Sequence, residues 1–308
     1  MYIGIDGGGT GTRGILRDPA GKVLGEAEAG PGNALVVGMD RAYEAVATVW
    51  NRLQSRVDGG GVSGTVIGLA GVERPLLRAE WIRRLDHAVG DPYWLVGDYQ
   101  LAWAALTHGR PGIIGVVGTG SVFFGENGSN TRRIGGYGWQ IGDVGSGIRL
   151  GQLGVREALK AMEGIEGSTT LVDLVQQFFG TAHPADILSQ WYDKGFEVQR
   201  VAQLASGILE TANWDFVARR LVEAEAHGIV AHLKALSRAL NWQDQWPIGL
   251  TGGLADRWMP WIERSWIPCG YRTAIQLVSD RPVMGAAWLA QHWKETCRRS
   301  DRGDHTEG

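Results

Sequence analysis

The chain has 308 residues, of which 44% are apolar and 20% charged, with a formal net charge of −3. That length suits about two domains with sizeable cores, and the slight acidity argues against a nucleic-acid or anionic-membrane partner. Two cysteines, Cys269 and Cys297, are too few for a disulfide framework or a four-ligand metal site, which points to a reducing, cytoplasmic setting.

No basic segment leads into an apolar one at the start, and the longest weakly polar run, Gly112 to Gly125, is too short and glycine-rich to span a bilayer. Neither a signal peptide nor a membrane anchor is expected. The unusual counts are 47 Gly and 14 Trp. Glycine clusters at predicted turns, as ligand-facing loops would require.

In chain order, Ile3–Ile5, Gly14–Arg17 and Val23–Ala27 read as three short strands joined by tight turns. From Asp40 to Leu53 the apolar residues Ala42, Val46, Val49, Trp50 and Leu53 fall at helical spacing. Thr65–Leu69 is a buried-type strand, followed by a helix near Leu76–Val89, a strand at Tyr93–Val96 and a helix from Asp98. The pattern then restarts, with strands at Gly112–Val117, Ser121–Gly125 and Arg132–Ile134. From Ser146 to about Leu240 it is mainly helical. Ile248–Leu250 is a last strand, Val283–Lys294 a closing helix, and the polar stretch from Arg298 to Gly308 is expected to fray.

Two segments share one architecture. "IGIDGGGTGTRGIL" and "IGVVGTGSVFFG" both read strand, Gly/Thr turn, strand. Each has two readings: a tight hairpin turn, or a cradle whose bare N–H groups meet an anion. Two such hairpins facing one another would grip a polyphosphate from both sides. A third cluster, "LTGGLADRW" at Leu250–Trp258, places Gly-Gly between a strand and a helix. There a flat group could approach the backbone near a helix N-terminus, or the glycines could simply make a tight connection. No Gly-x-x-x-x-Gly-Lys-Ser/Thr sequence is present, so a Walker-type loop is excluded.

The three clusters in this order resemble the sugar kinase, Hsp70 and actin superfamily of ATP-binding proteins. Within it the chain is similar to the BadF/BadG-type ATPases and the N-acetylglucosamine and glucosamine kinases. "GIDGGGTGTRG", "GDYQLAWAAL", "GTGS", "GGYGWQIGDVGSGIRLG" and "GLTGGLA" carry the likeness. It implies a two-lobed α/β, ribonuclease H-like (actin/hexokinase-type) fold with a mixed five-stranded sheet and flanking helices in each lobe. The N-terminal lobe would span residues 1–110, completed by the closing helix 283–297, and the C-terminal lobe residues 111–282.

The resemblance also implies roles. Gly8, Gly9, Thr10 and Thr12 would bind ATP phosphates, as would Gly118, Thr119 and Gly120, while Gly252 and Gly253 would meet the adenosine. Asp6 would hold Mg²⁺ through water, oxygen ligation suiting that cation; a carboxylate capping its own turn is the lesser reading. Asp98, at a strand–helix junction, would be the base that accepts the acceptor hydroxyl's proton; on residue type alone it also reads as a helix N-cap. Asn33, Ala34, Gly136, Tyr137, Gly138 and Asp143, with Asp98, would bind the sugar. Trp139 could stack on a pyranose face.

One branch of the family binds an iron–sulfur cluster through cysteines in its central region, but this chain has none before Cys269, which disfavours that branch. The expectation is therefore an ATP-dependent kinase that phosphorylates N-acetylglucosamine or glucosamine at the 6-hydroxyl, working as a homodimer. An activator-type or regulatory ATPase without a sugar acceptor is the alternative. Ile134, Tyr137 and Trp139 lean towards the acetylated sugar.

Overall fold

The structure is a computed structural model that describes residues 1–57, 61–89, 92–266 and 273–296. Cys269, Cys297 and the polar stretch 298–308 lie outside them.

The chain opens with strands β1 (Tyr2–Gly7), β2 (Thr12–Arg17) and β3 (Val23–Ala29), then helices α1 (Ala34–Val37) and α2 (Met39–Gln54). Strand β4 (Gly64–Leu69), helix α3 (Pro75–Ala88), strand β5 (Tyr93–Gly97) and helix α4 (Asp98–Thr107) follow. A second run of strands comprises β6 (Gly112–Val117), β7 (Ser121–Glu126) and β8 (Thr131–Gly135). Helices α5 (Gly147–Met162), α6 (Leu171–Phe179), α7 (Pro184–Trp191), α8 (Leu204–Thr211) and α9 (Phe216–Ala239) come next. The chain closes with β9 (Ile248–Thr251), α10 (Ala255–Trp266), β10 (Ile275–Leu277) and α11 (Pro282–Thr296).

Two five-stranded sheets result, in the orders β3-β2-β1-β4-β5 and β10-β9-β6-β7-β8. In the first, β1–β2 and β2–β3 are antiparallel, whereas β1–β4 and β4–β5 are parallel. This is the mixed-sheet architecture expected. All nine strands expected from the sequence are present. Strand β10 was not anticipated, because three residues, Ile-Gln-Leu, carry too little periodicity to signal a strand. The four-residue α1 escaped for the same reason.

The chain divides into two compact units. Unit 1 holds Met1–Ile114, Phe124–Thr131 and the chain from Val278; unit 2 holds Gly115–Phe123 and Arg132–Leu277.

In unit 1 the apolar stripe read along α2 is the one buried. Ala42, Val46, Val49, Trp50 and Leu53 join Ile3, Ile5, Ile67 and Leu69 of β1 and β4 in one core. Each such large side chain stabilises the fold by roughly 1.5–3 kcal/mol when fully buried. The other face of β1 meets α11. A Cβ at Gly4 would fall 2.2 Å from Ala287 N, so helix backbone sits directly on the strand and only glycine fits. In unit 2, α9 buries Val222, Ala226, Ile229 and Leu233, while α10 buries Trp258 and Ile262.

Candidate functional site

The first glycine turn joins β1 to β2, with Gly7 opposite Thr12. Its closing bond runs from Gly8 N to Gly11 O at 3.0 Å. Gly7 is needed for packing, since a Cβ there would lie 2.4 Å from Leu69 Cδ2. Gly8 and Gly9 differ. Neither has a positive φ; a Cβ on Gly8 would meet nothing nearer than Gly11 O at 3.7 Å, and one on Gly9 nothing within 4 Å. Neither backbone strain nor packing within the chain accounts for these two glycines. What they leave is backbone that a ligand could approach with no side chain between.

Thr10 is exposed beside them, but Thr12 is not. It is fully buried, and its hydroxyl donates to Gly30 O at 2.8 Å. In this conformation its side chain is a strut, with its hydroxyl turned to the Gly30 carbonyl. Together with the bond from Gly32 N to Gly8 O, 3.0 Å, it fastens the Gly30–Asn33 loop to the hairpin. Asn33, at the end of that loop, caps α1: its Oδ1 accepts from Leu35 N at 2.9 Å. The amide nitrogen of Asn33 is not used in that cap, and Ala34 opens the helix.

Three adjacent parallel strands of unit 1 each deliver a carboxylate at their C-terminal end. Asp6 stands on β1, Glu73 in the turn after β4, and Asp98 directly after β5. In an open α/β sheet this edge is where ligands bind. Burial pushes the Asp6 carboxyl up to about 7, helped by the Asp98 charge and opposed by Arg13. Burial also pushes Asp98 up to about 6, with Glu73 adding to the effect and the backbone amides of Tyr99 and Asp98 opposing it.

Asp98 is not the cap of α4. Gly97 is the N-cap, and Gln100 Oε1 accepts its N–H at 3.0 Å. Asp98 is the first helical residue, and its Oδ1 accepts from Tyr99 N at 2.9 Å. A Cβ on Gly97 would fall 2.1 Å from Glu73 Oε1 and 2.5 Å from Tyr99 Cε1, so a larger residue there would displace both side chains. Glu73 was not singled out from the sequence. The available signal was an acidic residue just after a buried-type strand, in "GLAGVE".

In unit 2 the second turn closes through Gly118 N to Gly120 O at 2.9 Å, and Thr119 at its tip is exposed. The first amides of α5 point at its carbonyls: Gly147 N donates to Gly118 O at 2.7 Å and Ile148 N to Thr119 O at 3.2 Å. Ser146 caps α5 as its sequence position suggests, accepting from Arg149 N at 3.2 Å.

Asp143 holds neighbouring backbone together. Only 8% exposed, it accepts from Gly138 N at 3.0 Å and lies against Gly120, its Oδ2 3.0 Å from where a Cβ would stand. Burial raises its carboxyl above the usual range, while the Gly138 and Ser121 amides pull it down. It thus ties the 136–142 loop to the second turn, and its carboxylate is turned inward. Gly136 and Gly138 have φ of 70° and 91°, a conformation that favours glycine. Between them Tyr137 is 64% exposed, and Trp139 is half-buried.

The two glycines of the third cluster separate cleanly. Gly252 has φ 105°, and a Cβ would fall 2.4 Å from Val117 O, so the backbone itself requires glycine there. Gly253 is exposed with nothing within 4 Å of its Cβ position. Gly118 lies beside it, 3.6 Å from Cβ position to Gly253 N.

Among the described residues no group of three or more His, Cys, Asp or Glu is arranged to hold a metal ion, and no helix is long and apolar enough to cross a membrane.

A family model described as the BadF/BadG/BcrA/BcrD ATPase family matches residues 3–290. Two relatives are similar over most of their length. N-acetyl-D-glucosamine kinase of Dictyostelium discoideum is 27% identical, over 83% of this chain and 86% of the relative. Glucosamine kinase GspK of Vibrio cholerae is 28% identical, over 86% of this chain and 90% of the relative. A crystal structure from Chromobacterium violaceum, provisionally described as an N-acetylglucosamine kinase, superimposes with a TM-score of 0.79 at 26% identity. It covers 94% of this chain and 98% of that one.

Proposed function

Since the chain belongs to the BadF/BadG/BcrA/BcrD ATPase family, we propose that it is an ATP-dependent kinase acting on an amino sugar, N-acetylglucosamine or glucosamine, at the 6-hydroxyl. The kinase activities of the relatives support the reaction class. The observation that carries it to this chain is Asp98. With the cap of α4 supplied by Gly97 and Gln100, and a carboxyl held near 6, Asp98 is ionised at neutral pH yet retains proton affinity, as a general base requires.

Asp98 accepts the proton of the acceptor hydroxyl as that oxygen bonds to the γ-phosphorus of ATP. The bond from γ-phosphorus to the bridging oxygen breaks, and ADP leaves. The transition state is loose, so holding the oxygen in line supplies much of the rate. Gly9 and Thr10 of the first turn and Thr119 and Gly120 of the second contribute backbone amides to the phosphates. Gly8 and Gly118 use theirs to close the turns and leave room for approach, and Gly253 accommodates the adenosine. Asn33, Ala34 and the Gly136–Gly138 backbone contact the sugar, with Asp143 acting through Gly138.

Asp6, a carboxylate penalised by burial and by the charge of Asp98, would hold Mg²⁺ through water, and a cation there would offset that penalty. When bound, Mg²⁺ neutralises charge on the polyphosphate. A cytoplasmic setting, which the cysteine-poor composition favours, and a homodimer complete the reading. Incubating the protein with Mg²⁺-ATP and a panel of amino sugars, with analysis of the phosphosugar formed, tests it. A sugar 6-phosphate supports the reading, and hydrolysis without one refutes it.

A further inference from the structure

Gly145 follows Asp143 by two residues, in "GDVGSG". Its φ is 76°, and a Cβ would fall 2.4 Å from Ile229 Cδ1, so the position is fixed as glycine. Both of its backbone groups are taken by side chains from remote helices. Its N–H donates to Glu225 Oε2 of α9 at 2.8 Å, and its carbonyl accepts from Trp258 Nε1 of α10 at 2.9 Å. Glu225 is 5% exposed and Trp258 is fully buried. Buried polar groups are costly to leave unpaired, so separating any one of the three residues from the others is penalised.

Each partner continues into a different part of the candidate site. Trp258 rides on α10, which begins at the Gly252–Gly253 loop, and Leu254 N of that loop donates to Val117 O at 3.2 Å. Glu225 also holds Arg149 Nε at 2.9 Å. Arg149 lies in the first turn of α5, whose amides bind the carbonyls of Gly118 and Thr119. Gly145 itself is joined through Val144 to Asp143, and so to Gly138 of the acceptor loop.

We propose that Gly145 is the point at which the nucleotide loops and the acceptor loop of unit 2 are coupled, with Trp258 and Glu225 as its two positioning residues. This rests on the kinase reading above. Nucleotide at Gly253 and Gly118–Gly120 restrains α10 and the head of α5. Both restraints meet at Gly145 and order the 136–142 loop before the sugar arrives. Linkage requires the effect to be reciprocal.

The test is calorimetric, on the full chain. The Kd of N-acetylglucosamine, and separately of glucosamine, is measured with and without saturating AMPPNP and Mg²⁺. The wild-type ratio should be about fivefold or more. Trp258→Phe removes the donor to Gly145 O. It should cut the ratio at least about threefold while AMPPNP affinity alone changes by less than about twofold, a separation that a merely structural role does not produce. Glu225→Gln keeps an oxygen for Gly145 N but weakens the hold on Arg149, and should move the ratio the same way. Amide exchange of wild-type protein needs no variant: AMPPNP alone should slow exchange at Gly138 and Gly145. A wild-type ratio of one, unchanged ratios in variants that melt cooperatively, or unaltered exchange would each overturn the proposal. Failure of both sugars to bind overturns it together with the kinase reading. Binding and coupling without any sugar phosphate overturns the kinase reading alone.

Discussion

Asp6 and Asp98 sit at the C-terminal ends of β1 and β5, the two strands that flank β4, and the charge of Asp98 helps push Asp6 up to about 7. The registers place Gly68 of β4 beside Asp6 and Val96 of β5 beside Gly68. Two strand spacings, about 10 Å, therefore separate the backbones of β1 and β5 there. Parallel pairing is what brings two residues so far apart in sequence to one edge, and Glu73 from the end of β4 makes the third carboxylate.

Burying Asp98, with the Glu73 charge adding to the effect, costs stability. The Asp98 carboxyl rises from 3.8 to about 6 on folding, so the native state binds more protons than the unfolded chain between those values. Its contribution to stability is full below pH 3.8 and is lost as the pH climbs to about 6. At pH 8 the cost is about 3 kcal/mol. Asp98→Asn removes it and keeps an oxygen for Tyr99 N. The variant should melt higher than wild type at pH 8, with the gap closing towards pH 4, while turnover falls by about 10²–10⁴. Thermal melts across pH and a coupled assay check both arms. Near-normal turnover would remove Asp98 from the role of base.

The same carboxyl sets an acid limb. With Asp98 required ionised, kcat/KM should fall about tenfold per pH unit below about 6, because the limb follows the free enzyme's base. A profile measured at constant ionic strength and saturating Mg²⁺ shows it. A flat profile down to pH 5 would be incompatible with this base.

Glycines of the two kinds should respond differently to substitution. Gly8→Val enters open space, so the melting temperature should hold within a few degrees while the KM for ATP rises about tenfold or more, an affinity loss of about 1.4 kcal/mol or more. Gly252→Ala must strain a φ of 105° and displace Val117 O, so it should lower the melting temperature outright. An unfolded Gly8→Val protein would mean that the first turn is glycine-rich for its own stability.

Asp143→Ala removes the acceptor for Gly138 N and places alanine at a φ of 55°, a backbone region unfavourable for it. The KM for the sugar should rise about tenfold, more than the KM for ATP. Steady-state kinetics with each substrate varied in turn decide this, and equal effects on both would point to general destabilisation.

The sequence showed some parts of this site and hid others for identifiable reasons. Apolar periodicity exposed α2, and the repeated strand–turn–strand pattern exposed both meanders, because each is a local signal. The roles of Thr12 and Asp143 were hidden because they depend on partners brought by folding: Gly30 for one, Gly138 and Ser121 for the other. The Gln100 side chain that accepts the Gly97 N–H and leaves Asp98 out of the cap stands only three residues past Gly97, a local signal. Glu225 and Trp258 meet Gly145 across long stretches of chain, and no local pattern marks such contacts.

The central claim is that phosphate goes from ATP to a sugar hydroxyl. The direct measurement is ADP, inorganic phosphate and sugar phosphate quantified together, with and without N-acetylglucosamine or glucosamine. The account predicts ADP and sugar 6-phosphate in equal amounts with one of these sugars, and little free phosphate in any condition. ADP release matched by free phosphate, unaffected by either sugar, would contradict it and mark the chain as an ATPase without a sugar acceptor.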